Sequence, residues 1–298
     1  MRLAIAVGAC GSAFVLMSCS LFVDLDGLDN SSACTTCDDA ASDAAVADAK
    51  IFGDANDVVG DASTGDGSSP GEAGCPSGKG PSMVQSGSAC IDSTEVSQHD
   101  YNLFFSAIGG ASGPVTRPAE CAWKSNTATG CGSGDPYPVA CVDWCDAVAY
   151  CAWAGKRLCG AVGDGTALAY PLAGNRTSSE WSAACSPTGN AFPYGVTYKD
   201  RACNTLYADG GVPPGTVAVG SLASCVGGLA GLFDMGGNVE EWLNSCQTND
   251  GGLPTDPCHE GGDCFDYSST GLSRCDGNDN DQRNFQGTDV GIRCCATP

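Results

Sequence analysis

The sequence predicts a loop-rich fold of short strands and three short helices, pinned by disulfides and carried beyond an acidic tether. Three observations predict it. Of 298 residues, 21 are cysteine and 42 are glycine, while helical periodicity is sparse. Cysteine at that density is stable as disulfides in an oxidising compartment. The composition also changes at Cys75, from an Ala/Asp/Ser/Gly tract to a chain with tryptophans and regularly spaced cysteines.

The amino terminus reads as an export signal. Met1-Arg2 gives a positive start, and Leu3 to Met17 is an uncharged apolar run. That run is too short to cross a hydrocarbon core of ~30 Å as a helix, but it has the length of a signal-peptide hydrophobic region. It ends in Leu16-Met17-Ser18-Cys19, which resembles a bacterial lipobox, so residues 1–18 are expected to be removed and Cys19 to carry lipid. Several acyl chains anchor firmly, whereas one alone is marginal. Ser20 in place of Asp favours the outer membrane of a two-membrane envelope.

Residues 19–74 form the tether. It holds eleven Asp and one Glu against Lys50 alone, half of the formal charge of −22. Such a segment buries too little apolar surface to offset its ordering entropy, and self-repulsion extends it. The net charge argues against nucleic acid as a partner. Thiolate metal clusters are not expected either: Cys34-Thr-Thr-Cys37 is the only CxxC, it lies in the tether, and the chain has two histidines.

Residues 75–298 are long enough for one substantial domain. Ser97 caps a first helix with Tyr101, Phe104, Phe105 and Ile108 on one face. Asp143 starts a second through Trp144, Val148, Cys151 and Trp153, stopped at Gly155 beside Lys156 and Arg157. Thr177-Ser-Ser-Glu180 reads as a capping box for a third, leading to Trp181 and Cys185. Local bridges Cys75–Cys90, Cys121–Cys131, Cys203–Cys225, Cys246–Cys258 and Cys264–Cys275 are plausible, although sequence does not fix connectivity. Seventeen cysteines in this region leave at least one outside any internal pairing. Asp276-Gly-Asn278-Asp-Asn280-Asp281 looks like a calcium loop but lacks the sixth-position glycine and twelfth-position glutamate, so a solvated loop is expected.

Four segments, in order, resemble the formylglycine-generating enzyme (sulfatase-modifying factor) family. They are Thr94-Glu95-Val96-Ser97; Pro138 to Trp144 with Ala147 to Leu158; Gly231-Leu232-Phe233-Asp234-Met235-Gly236-Gly237-Asn238-Val239-Glu240-Glu241-Trp242; and Gly261-Gly262-Asp263 with Gly291-Ile292-Arg293-Cys294. The resemblance covers about residues 75–298 and implies an α+β fold, related to C-type lectins and poor in regular secondary structure. It also implies a bridge between Cys185 and Cys294.

In active members, two cysteines five residues apart follow the paired glycines and bind Cu(I), chemistry that needs soft thiolates. Those positions fall on Asp266 and Gly271 here. Cys264 and Cys275 are nearby but eleven apart, so they are weak catalytic candidates and copper is not expected. A related synthase uses three histidines on iron, which His99 and His259 cannot supply. His99 is expected on the polar face of the first helix and His259 in a loop. The resemblance carries over a structural Ca²⁺ at Asp234, Gly237, Val239 and Glu241, and a second at Asn204, Thr205 and Asp209. With the lipobox at Cys19, the expected protein is a membrane-anchored lipoprotein whose domain has lost the copper site and binds a protein or glycan ligand, or helps mature a partner. The alternative is an oxidase that converts a target protein's cysteine to formylglycine.

Overall fold

The computed structural model describes residues 68–69, 74–248, 252–265 and 273–298, all within one compact unit, Ala62–Pro298. The signal peptide, Cys19, almost all of the tether, Asp266 and Gly271 lie outside the described residues. Among the described residues, no helix is long and apolar enough to cross a membrane.

The three helices form as their sequences dictate, with one change of cap. α1 (Gln98–Ala107) starts at Ser97, whose hydroxyl accepts from the Asp100 amide, and buries Tyr101 and Phe104. α2 (Trp144–Trp153) starts at Asp143, which accepts from the Asp146 amide. Its chain leaves the helix through Gly155 at φ +76°, a conformation glycine adopts without a Cβ clash. α3 (Glu180–Cys185) begins two residues later than the capping-box reading, with Ser179 as its cap. Glu180 does not reach back to Thr177. It forms two bonds to Arg157, at 2.6 and 2.7 Å, and accepts from the Gly160 amide.

Among the described residues, ten short strands complete an α+β domain. β1 (Ser68–Ser69) pairs with β2 (Gly78–Lys79). The second sheet runs β3 (Met83–Ser86), β4 (Ala89–Asp92), β10 (Cys294–Ala296), β5 (Arg157–Leu158). The third runs β8 (Asn278–Gln282), β7 (Pro257–Gly261), β6 (Glu240–Cys246), β9 (Val290–Gly291), with β9 parallel to β6. The stretch from 276 to 281, expected as a solvated loop, therefore contributes an edge strand. Its backbone pairs with β7 from Pro257↔Gln282 to Gly261↔Asn278.

Two apolar cores flank β10. One joins α1 and α2 to β6 and β9 through Tyr101, Phe104, Tyr150, Trp242 and Ile292. The other joins α3 to Leu232, Met235 and Leu243. Successive strand residues point to opposite faces. Cys294 accordingly lies in the first core and bonds Cys151 of α2, while Cys295 lies in the second and bonds Cys159. The implied Cys185–Cys294 bridge is thereby corrected: Cys185 sits in the second core and pairs with Cys275. That pairing also rules out Cys264–Cys275. Cys121–Cys131 is replaced by Cys121–Cys145 and Cys131–Cys141, because the first turn of α2 brings Cys145 to a Cα–Cα distance of 5.8 Å from Cys121. Cys75–Cys90, Cys203–Cys225 and Cys246–Cys258 form as expected from local spacing. The eight bridges among the described residues are stable under oxidising conditions, which places the domain outside the cytoplasm.

Candidate metal centre

The loop from Gly231 to Val239 enters β6 through two left-handed residues, Asp234 at φ +61° and Asn238 at φ +87°. Asp and Asn tolerate this region better than most side chains. The Asn238 amide nitrogen donates to Glu95 Oε2 at 2.8 Å, and its carbonyl accepts from the Val217 amide at 2.8 Å. The Val239 amide donates to the other Glu95 oxygen at 3.1 Å. Glu95 thus holds the loop from α1's approach segment, 144 residues away in sequence.

The two predicted carboxylate ligands meet different partners. Asp234 accepts from the Gly220 amide at 2.6 Å through Oδ2, while Oδ1 is buried with no hydrogen-bond partner. Glu241 accepts from the Trp181 indole at 2.6 Å and from Arg293 at 2.8 and 3.0 Å. Each carboxylate oxygen has two lone pairs, so these bonds leave acceptor capacity on Glu241. Gly237 is where the loop crosses the Asn204 segment: a Cβ there would come within 2.5 Å of Thr205 Cγ2 and 2.9 Å of the Asn204 carbonyl.

The electrostatics of this loop are unbalanced. Glu95, Asp234 and Glu241 are all buried, and Arg293 is the guanidinium that faces them. Burial, with Asp234 and Glu241 adding repulsion, pushes Glu95 well above the usual carboxylate range. Burial likewise raises Asp234 and Glu241, with Arg293 opposing. Three carboxylates against one guanidinium leave two negative charges to be neutralised by protons or by a divalent cation. An orphaned Asp234 oxygen, hard oxygen donors and that charge deficit fit Ca²⁺. Asp234 and Glu241, with the carbonyls of Gly237 and Val239, would hold it.

The second predicted set is not drawn together in the same way. Asn204 is buried and donates to the Gly215 carbonyl and to Asn238. Thr205 is buried beside it, with its hydroxyl on Leu206 O. Asp209 is exposed and ion-paired with Arg201 at 3.3 Å. Asn204 and Asp209 serve separate networks, and the donor set does not fit an ion.

Of the weak catalytic thiols, Cys275 is in a disulfide, and Cys264 is a buried thiol belonging to none of the eight bridges. The paired glycines before it have a packing role: the Trp181 ring lies 2.6 Å from where a Gly261 Cβ would stand. His99 is exposed beside Asp135, as its helix face implies. His259 is not in a loop but in β7, buried and stacked 3.9 Å from the Tyr170 ring.

Sequence reasoning missed Glu95 as a loop support. Its place in the Thr94-Glu95-Val96 segment marked it, but nothing local showed that it reaches Asn238. It also missed that Glu240, Glu260 and Asp263 are buried.

Residues 65–298 match the family model described as the sulfatase-modifying factor enzyme 1-like domain. A Bos taurus protein described as inactive C-alpha-formylglycine-generating enzyme 2 is 31% identical over 134 residues, covering 41% of this chain and 38% of that protein. The matched segment thus spans less than half the length of that curated relative. Among solved structures, CarF aligns at 22% identity and TM-score 0.46, covering 70% of this chain and 86% of CarF. PvdO from Pseudomonas aeruginosa aligns at 21% and 0.45, covering 70% and 80%.

Proposed function

Because the chain belongs to the sulfatase-modifying factor enzyme 1-like domain family, we propose that it is a member without the copper chemistry, serving as a binding, scaffold or maturation-accessory module. One observation carries the reading. The Cu(I) site of active members needs two thiolates close together, yet Cys275 is bonded to Cys185 and Cys264 is 1% exposed. A thiolate pair for a substrate cysteine is therefore not available among the described residues. The description of the bovine relative as inactive supports the same reading.

The module is tethered to a membrane through lipid on Cys19, with residues 1–18 removed and residues 19–74 as spacer; the lipobox-like Leu16-Met17-Ser18-Cys19 supports this. The outer membrane is the proposed location, on the basis of Ser20. Calcium is proposed as a structural ion at Asp234, Gly237, Val239 and Glu241. The ligand is a protein or glycan met by the loop surface.

Thiol counting tests the central claim. Alkylation of the native full chain, followed by peptide mapping, is expected to label neither Cys264 nor Cys275, and denaturation without reductant should expose Cys264 alone from residue 75 onward. Two native-accessible thiols in that region that bind Cu(I) would overturn it in favour of the formylglycine-generating oxidase.

A further inference from the structure

Away from the Asp234 oxygen, three other ligand atoms converge at the start of β6. One oxygen each of Glu240 and Asp263 and the Sγ of Cys264 lie within 4.8 Å of one another, all in buried residues. Among the described residues this is the one such group of three or more acidic, histidine or cysteine side chains. The register explains the convergence. Glu241 of β6 pairs with Gly261 at the end of β7, and Gly262 then turns the chain at φ +89°. Asp263 and Cys264 are thereby returned beside Glu240.

The side chains present unused acceptors. Glu240 Oε1 and Asp263 Oδ2 have no hydrogen-bond partner, although the residues are 4% and 0% exposed. Asp263 Oδ1 accepts from the Cys264 amide at 3.0 Å. Glu260, fully buried with both oxygens unpartnered, is a further carboxyl group on the same strand pair. The charges bearing on Glu240 come from Asp279, Asp263, Asp289 and Asp281, all of one sign. Buried carboxylates are ordinarily paired or bound to metal.

The geometry points to a site for a divalent transition ion, held by Glu240, Asp263 and Cys264, with zinc the ion its ligands suit. A thiolate among carboxylates excludes the oxygen-only preference of Ca²⁺ and Mg²⁺ and matches the mixed sulfur and oxygen set that Zn²⁺ accepts. Three protein ligands leave the fourth tetrahedral position to water or an incoming group. Binding replaces the Cys264 S–H bond with an S–metal bond; the proton leaves to solvent and nothing is oxidised. The site stands independently of the loss of copper chemistry, since it uses neither Cys275 nor a substrate thiol.

The test uses the full chain with calcium in excess, titrated with Co²⁺ and then Zn²⁺. A thiolate-to-cobalt charge-transfer band is expected, displaced by zinc, lost in Cys264→Ser and weakened at least about tenfold in Glu240→Gln and Asp263→Asn. X-ray absorption of the zinc-loaded wild-type protein covers the case in which a variant fails to fold. One sulfur neighbour with the remainder oxygen supports the site. No sulfur overturns it, as do two sulfurs, which would place the ion on Cys34 and Cys37. A band unchanged in Cys264→Ser, or no band at all, overturns it as well.

Discussion

Single buried charges set much of this domain's behaviour, and Asp146 shows how. It lies in the first turn of α2, bonded to Lys124 at 2.9 Å and Arg117 at 3.4 Å. Burial, reinforced by Asp143, raises its pKa from 3.8 to about 6. Burial raises Asp92 to about 6 as well, against the pull of Lys156 at 2.5 Å. In both cases the folded state holds the proton more tightly than the unfolded chain. Their contribution is fully present below the unfolded pKa and is lost as pH rises from about 4 through about 6. Urea midpoints across that window should fall with rising pH, and Asp146→Asn should flatten the fall. A midpoint that rises, or a variant with the wild-type slope, would contradict this account. Asp146 and Asp92 were visible in sequence only as ordinary acids, since burial is a property of the packed chain.

Among the elements, β10 is decisive although it has three residues. It is hydrogen-bonded to β4 and β5 and carries two bridges, one into each core. Closing a loop lowers the entropy of the unfolded chain in proportion to the logarithm of its length. Cys159–Cys295 spans 136 residues, but with Cys151–Cys294 intact it closes only a short ring, about the size of the one that Cys131–Cys141 closes over 10 residues. Replacing either pair by Ala should therefore cost about 3 kcal/mol. Guanidinium denaturation of the two double variants checks this; clearly unequal losses would show that native-state contacts, rather than loop entropy, dominate. The helices were readable in advance because caps and apolar spacing act within a turn or two. The start of α3 was misread because Arg157, more than twenty residues away, takes Glu180.

Across the whole molecule, the formal charge of −22 has two origins. Half is the acidic tether, and the rest belongs to the domain, where several carboxylates are buried. Such a domain gains stability from any cation that neutralises them in the folded state only. Calcium at about 100 times its Kd should stabilise folding by about 2.7 kcal/mol, read as a rise in Tm. Chelation should reverse the rise, and Asp234→Asn should abolish it. A wild-type Tm indifferent to calcium would remove the ion from the Asp234 loop.

The sequence by itself determined the family, the α+β class, two helix starts and the loop that enters β6, and three of the five local bridges it suggested are formed. These depend on motifs and short spacings, which survive in one dimension. Tertiary structure alone decided the partners of Cys151, Cys159, Cys185, Cys294 and Cys295. It also decided the support of Asn238 by Glu95 and the gathering of Glu240, Asp263 and Cys264. The reason is geometric: adjacent strand residues face opposite cores, and strand register brings distant segments level with one another.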